Sequence, residues 1–118
     1  MSASNGPAPG HRILGVDPGL HITGYAIIEA GTAGPIVREA GVIRSAERRQ
    51  PADMAPRLAA LYNGLVEVIG QYRPAVMVVE QLYAHYEHPR TAVLMAHARG
   101  VIFLAAALCH YYVQRLPT

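Results

Sequence analysis

Residues 13–25 read ILGVDPGLHITGY, and the fold turns on how that stretch is parsed. The apolar run Arg12–Asp17 (RILGVD) stops at Asp-Pro-Gly. Proline fixes φ and removes a backbone donor, so a strand ends there in a turn. Thr23–Ala30 (TGYAIIEA) predicts a second strand and Ile36–Arg44 (IVREAGVIR) a third. Gly31–Pro35 between them has the composition of a hairpin loop. Strands in succession with short connections predict an antiparallel meander.

Downstream the period changes. After the polar stretch Ser45–Pro51, apolar residues at 58, 61, 62, 65, 66, 69 and 72 recur at helical spacing and predict a helix over Asp53–Tyr72. Asp53 is its candidate N-cap, and Pro56 suits the first turn. Arg73-Pro74 ends it, because the residue before a proline avoids the helical region. Ala75–Glu80 (AVMVVE) is a short apolar run reached through a helix, the pattern of a buried strand parallel to an earlier one. A loop at Gln81–Arg90 leads to a second helical pattern over 91–113, apolar nearly all round and rich in small residues. Such a helix needs cover on more than one side, from the sheet and from a second subunit. Tyr112–Thr118 (YVQRLPT) reads as the start of a further strand. The predicted class is α/β, in the order β-β-β-α-β-α plus the start of a fifth strand.

Composition bounds the answer. The 118 residues are one domain's worth, 52% hydrophobic and 15% charged, which excludes a disordered or low-complexity chain. The net charge of +2 rests on ten arginines with no lysine. That permits a nucleic-acid partner without arguing for one. A single cysteine, Cys109, excludes an internal disulfide and suits a reducing, cytoplasmic setting. Residues 1–11 predict a flexible tail without the pattern of a secretion signal. The longest apolar run, Val101–Cys109, is short against the roughly twenty residues of a membrane span, so no membrane association is expected.

Among the eight acidic residues, Asp17 and Glu80 stand apart because each closes an apolar strand. Ligands of open α/β sheets bind at the carboxyl ends of strands. Two carboxylates brought together there repel unless a cation sits between them, and hard oxygen ligands suit Mg²⁺. That is the kernel of two-metal phosphodiester hydrolysis. The plainer alternative makes Asp17 part of its turn and Glu80 a solvated strand end; spacing alone leaves both open.

The motifs ILGVDPGLHITGY at 13–25, GVIR at 41–44, VMVVEQLY at 76–83 and AHARG at 96–100 occur in this order. Together they resemble the Holliday-junction resolvases of the RuvC family, in the RNase H-like superfamily. The resemblance spans 12–118 and implies an incomplete RNase H-like nuclease domain there, with the first and fourth strands neighbours in a mixed sheet. It implies Asp17 and Glu80 as catalytic, metal-binding residues, with two Mg²⁺ (or Mn²⁺) ions in a complete site. It also implies four-way junction DNA as substrate, symmetric nicking during recombination and repair, a homodimer through the 91–113 helix, and branch-migration proteins as partners. Tyr83 stands where the family carries an aromatic that stacks on an unpaired base. Gln81 adjoins Glu80, and Arg44 and Arg90 are candidates for DNA contact.

The resemblance has gaps. The loop reads AHYEHPRT after Tyr83, longer than the family pattern and carrying Glu87 where basic residues are common. His85 and His88 there lack the further ligands that zinc requires. His97 reads as a packed helix residue. The family's remaining acids lie on a helix after the fifth strand, and no residue after Glu87 is acidic here. The expected consequences are an impaired site and an uncovered sheet face, with a catalytically inactive junction-binding or dimerisation remnant as the alternative. An actin- or sugar-kinase-like ATPase is discounted, since Leu20 and His21 stand where hydroxyl residues are wanted. A related nuclease of rRNA processing lacks the Glu-Gln-x-aromatic run.

Overall fold

The computed structural model describes residues 10–45, 53–80, 88–109 and, in its backbone, 112–116. Its elements are β1 (Arg12–Asp17), β2 (Ile22–Gly31), β3 (Gly34–Arg44), α1 (Met54–Tyr72), β4 (Val76–Glu80), α2 (Pro89–Leu108) and β5 (Tyr112–Leu116). They form one mixed five-stranded sheet in the order β3-β2-β1-β4-β5. The meander β1–β2–β3 is antiparallel, and β4 joins β1 in parallel through the α1 crossover. β5 pairs with β4, also in parallel, over all five residues.

Several boundaries differ from expectation for identifiable reasons. The hairpin is tighter than Gly31–Pro35: Gly31 pairs with Gly34, leaving only Thr32 and Ala33 in the loop. Gly34 has φ 131°, a conformation most side chains resist, and that lets the strand resume early. The second helix starts at Pro89 and ends at Leu108, not at 113, because Tyr112 onward is claimed by the ladder with β4. Asp53 occupies the N-cap position of α1 but makes no side-chain cap hydrogen bond. At the other end of α1, Arg73 adopts the left-handed conformation and donates its amide to the Ile69 carbonyl at 2.8 Å. Arg12 donates Nη1 to the Tyr72 carbonyl at 2.9 Å, placing a cation at the negative end of the helix.

Both helices cover the same face of the sheet. Leu14, Val16, Ile27, Ile43, Met77 and Val79 from the strands meet Leu61, Leu65, Val68 and Ile69 of α1 and Ala98, Ile102, Ala105 and Ala106 of α2. Small residues on α2 let it lie close against its neighbours, and each fully buried Leu or Ile contributes roughly 1.5–3 kcal/mol. By length and apolar content α2 could cross a bilayer, yet Met95, Ala98, Ile102, Ala105 and Ala106 are buried in this core. The outer side of α2 carries Val93, Leu104 and Leu108 exposed. No described element supplies the second cover its composition demands.

The opposite face of the sheet is also apolar. Register places Ile13 and Gly15 beside Ile28 and Ala26, with Val76 and Val78 on their other flank. Val37 and Val42 of β3 are 65% and 53% exposed, and no described element covers this side. Sheets reached by helical crossovers usually bury both faces. Among the described residues, this one has a bare face.

Two features of the meander give tests. Glu29 of β2 accepts from Arg12 Nε at 2.9 Å and from Arg38 of β3 at 2.5 Å (Nη2) and 3.0 Å (Nε), and Arg38 is the extra residue of a β-bulge. Hydrogen bonding to Arg38 first, then to Arg12, lowers the Glu29 pKa below its ordinary 4.5. A depressed acid stabilises the fold above its unfolded pKa, and that contribution fades as pH falls through the lower folded value. Glu29→Gln is therefore expected to be less stable than the parent at pH 7. The gap should close below about pH 4, as read by thermal unfolding across pH.

Thr23 of β2 is completely buried, and its hydroxyl has no hydrogen-bond partner among the described residues. An unsatisfied buried hydroxyl costs about 1–3 kcal/mol, whereas valine has the same shape without the penalty. Thr23→Val is expected to raise unfolding stability by about 1 kcal/mol in a denaturant titration.

Candidate active site

The turn after β1 is built to hold Asp17. Pro18 is buried, and a Cβ on Gly19 would lie 2.0 Å from the Ile22 carbonyl oxygen, so only glycine fits. Arg57 of α1 donates to the Leu20 carbonyl, and the Ser45 amide donates to the His21 carbonyl at 2.9 Å. The Asp-Pro-Gly turn is thereby tied to α1 and to the end of β3.

Asp17 and Glu80 come together as the parallel pairing requires. Val16 pairs with Val79, so the next residue of each strand is one of the two acids. Both are exposed, at the rim of a cavity of about 570 Å³ on the bare face, floored by Gly15, Gly24, Ala26, Ala40 and Val78. The Glu80 pKa is raised: hydrogen bonding to Asp17 is the main cause, followed by the Asp17 charge, with some desolvation. Glu80 therefore gives up its proton less readily than an isolated carboxyl does. Hard oxygen donors that repel each other in this way fit a divalent cation. No cluster of three or more metal-ligating side chains occurs among the described residues.

The other expected residues divide. Arg44 is exposed at the end of β3, where its pairing with Ile22 puts it on the acid-bearing face, two strands from β1. Arg90 is exposed in the first turn of α2, about 13 Å along the helix from Arg99. Gln81 and Tyr83 lie outside the described residues, as do His85 and Glu87. His97 is not packed: it is exposed, with Nδ1 2.7 Å from the Val93 carbonyl of its own helix.

Sequence reasoning passed over Arg99. It donates Nη1 to the Glu80 backbone carbonyl, and its guanidinium lies 5.2 Å from the centre of the Phe103 ring. Its charge pulls the Glu80 pKa down, against the pull of Asp17. The available signal was one arginine among the small apolar residues of a helix, a costly choice unless the charge has work to do.

Comparison with known proteins settles the lineage. Residues 13–116 match the family model described as crossover junction endodeoxyribonuclease RuvC. The chain belongs to the RuvC family. It is 48% identical over 101 residues to the RuvC of Rhodopirellula baltica, spanning 86% of this chain and 55% of that protein. It is 40% identical over 97 residues to the RuvC of Hydrogenovibrio crunogenus, spanning 82% of this chain and 54% of the relative. The chain therefore spans about half the length of these curated relatives. Among solved structures, Thermus thermophilus RuvC in complex with a Holliday junction substrate superimposes with a TM-score of 0.80 at 19% identity, over 91% of this chain and 66% of that one. The sheet order of this chain, with β1 and β4 adjacent, is the arrangement expected from the sequence resemblance.

Proposed function

We propose that this chain carries the β1–β4 half of a metal-dependent Holliday-junction resolvase site, with Asp17 and Glu80 as its metal-binding, catalytic residues. The observation that carries this reading is the parallel Val16–Val79 pair, which delivers both carboxylates to one strand end. The nuclease domain runs from 12 to 118, and Gly10 and His11 just before it are already bonded to Ala30 of β2. The substrate is four-way junction DNA, nicked symmetrically during recombination and repair. The setting is cytoplasmic, with branch-migration proteins as partners.

Mg²⁺ or Mn²⁺ bound there supplies charge neutralisation at the scissile phosphate and lowers the pKa of water. Asp17 and Glu80 would hold the ion. The Gly19 turn and Arg57 keep Asp17 from swinging out of line, and the bare face beside the acids is concave enough to admit a backbone phosphate. Arg44, on the same face, supplies a guanidinium for phosphate contact, with Arg90, Gln81 and Tyr83 as further DNA contacts. The exposed Val93, Leu104 and Leu108 stripe on α2 supports a homodimer through that helix, which places two sites on one junction.

Among the described residues two carboxylates meet at this strand end, few for two ions, and positioning errors are expensive in catalysis. That scarcity favours junction binding with little cleavage as the second reading. Four-way-junction cleavage with Mg²⁺ and with Mn²⁺, measured beside an Asp17→Asn control, separates the readings. The 118-residue chain is expected to bind the junction and cleave it at least about 100-fold more slowly than a full-length relative. Asp17-dependent cleavage at a comparable rate would overturn that expectation. Absence of junction binding would overturn the functional reading itself.

A further inference from the structure

We propose that Arg99 is a positioning residue: it fixes the end of β4 so that Glu80 presents its carboxylate to Asp17. The inference rests on the metal-site reading above and goes beyond it, to how one arm of the site is held.

Among the described residues the register between β1 and β4 ends at Val16–Val79, one residue short of Glu80. Its pairing with Leu116 of β5 restrains the other side only. A strand end held on one edge can rotate its last peptide, and that rotation swings the side chain away from its neighbour. Arg99 closes this gap by donating to the Glu80 carbonyl.

Arg99 is well placed for the task. It rides on α2, whose Ala98 and Ile102 are buried in the core, and its guanidinium rests over Phe103 one turn later. It reaches β4 from the helix-covered side, while the two carboxylates border the cavity on the opposite face. The arginine therefore grips the strand without occupying the space in front of the acids. A planar guanidinium with several donors makes such a grip directional, which the point charge of lysine does not reproduce.

Charge and position predict opposite results. A cation near a cation site weakens metal binding, so removing the Arg99 charge alone would tighten it. If Arg99 positions Glu80, removal weakens the Glu80 arm instead. The test titrates the ¹³C-labelled 118-residue chain with Mg²⁺ and follows the side-chain carboxyl resonances of Asp17 and Glu80. In the parent, both shift together. In Arg99→Met, the Asp17 resonance still shifts, the Glu80 shift falls to less than about a third, and Mg²⁺ affinity drops about tenfold, roughly the scale of losing one supporting contact. Arg99→Lys recovers part of the Glu80 response. A role confined to stability would lower the melting temperature and leave the relative response of the two carboxyls unchanged.

An unchanged Glu80 response with equal or tighter Mg²⁺ binding in Arg99→Met would overturn the proposal. Should that variant fail to fold, Arg99→Lys decides alone: a reduced Glu80 response supports positioning, and a parent-like response overturns it. No shift of either carboxyl in the parent would defeat the metal reading itself, an outcome distinct from failure at Arg99.

Discussion

Replacing Gly19 by alanine is expected to cost about 2–4 kcal/mol of stability and to lower the melting temperature by about 10–20 °C. The new methyl would sit 2.0 Å from the Ile22 carbonyl oxygen, a backbone atom that cannot rotate aside. The turn must open, and it is bonded to both Arg57 and Ser45, so the disturbance spreads to α1 and β3. Asp17, two residues earlier, moves with it. Gly70 of α1 provides the contrast, because nothing lies within 4 Å of an added Cβ there. Gly70→Ala should stabilise by about 0.5–1 kcal/mol through helix propensity. Urea unfolding of the two variants checks both signs, and a Gly19→Ala chain within 0.5 kcal/mol of the parent would contradict the close-packed turn.

The second large effect is a reversal of sign at Asp17. Without metal, Asp17→Asn removes the carboxylate whose hydrogen bond and like charge raise the Glu80 pKa. An acid whose folded pKa is raised contributes stability at low pH that is lost as pH rises through the folded value, so the parent carries this repulsion above that value. The variant should be at least as stable as the parent in chelator. With Mg²⁺ at 100 times its dissociation constant, the parent gains about 2.7 kcal/mol, or about 10 °C, whereas the variant gains almost nothing. The two melting curves should therefore exchange order when Mg²⁺ is added. Equal metal stabilisation of both chains would remove Asp17 from the site.

Much of the fold is legible in the residues. Asp-Pro-Gly ends β1 because proline cannot extend the ladder, and the 3.6-residue period from Leu58 to Tyr72 can only be α1. The end of α2 is not legible in that way. Residues 101–109 are apolar throughout, so periodicity offers no stop there, and the helix yields at Leu108 where β4 provides strand partners for Tyr112–Leu116. Asp53 was named as a cap from residue type alone, and type does not say whether the carboxylate points at the amides. His97 was read as packed because its neighbours are apolar, yet it faces outward on the stripe that the core leaves bare.

The sequence by itself determined that two strand-terminal acids exist, that one closes an Asp-Pro-Gly turn, and that the motif order matches the RuvC family. These are local properties of chain chemistry and spacing. Only the tertiary structure decided that Asp17 and Glu80 share one strand end, because adjacency of β1 and β4 depends on a crossover through nineteen residues of α1. It alone brought Arg99, nineteen residues beyond Glu80, onto that residue's carbonyl. Long-range pairing fixes which groups meet, and no local pattern in the chain encodes that distance.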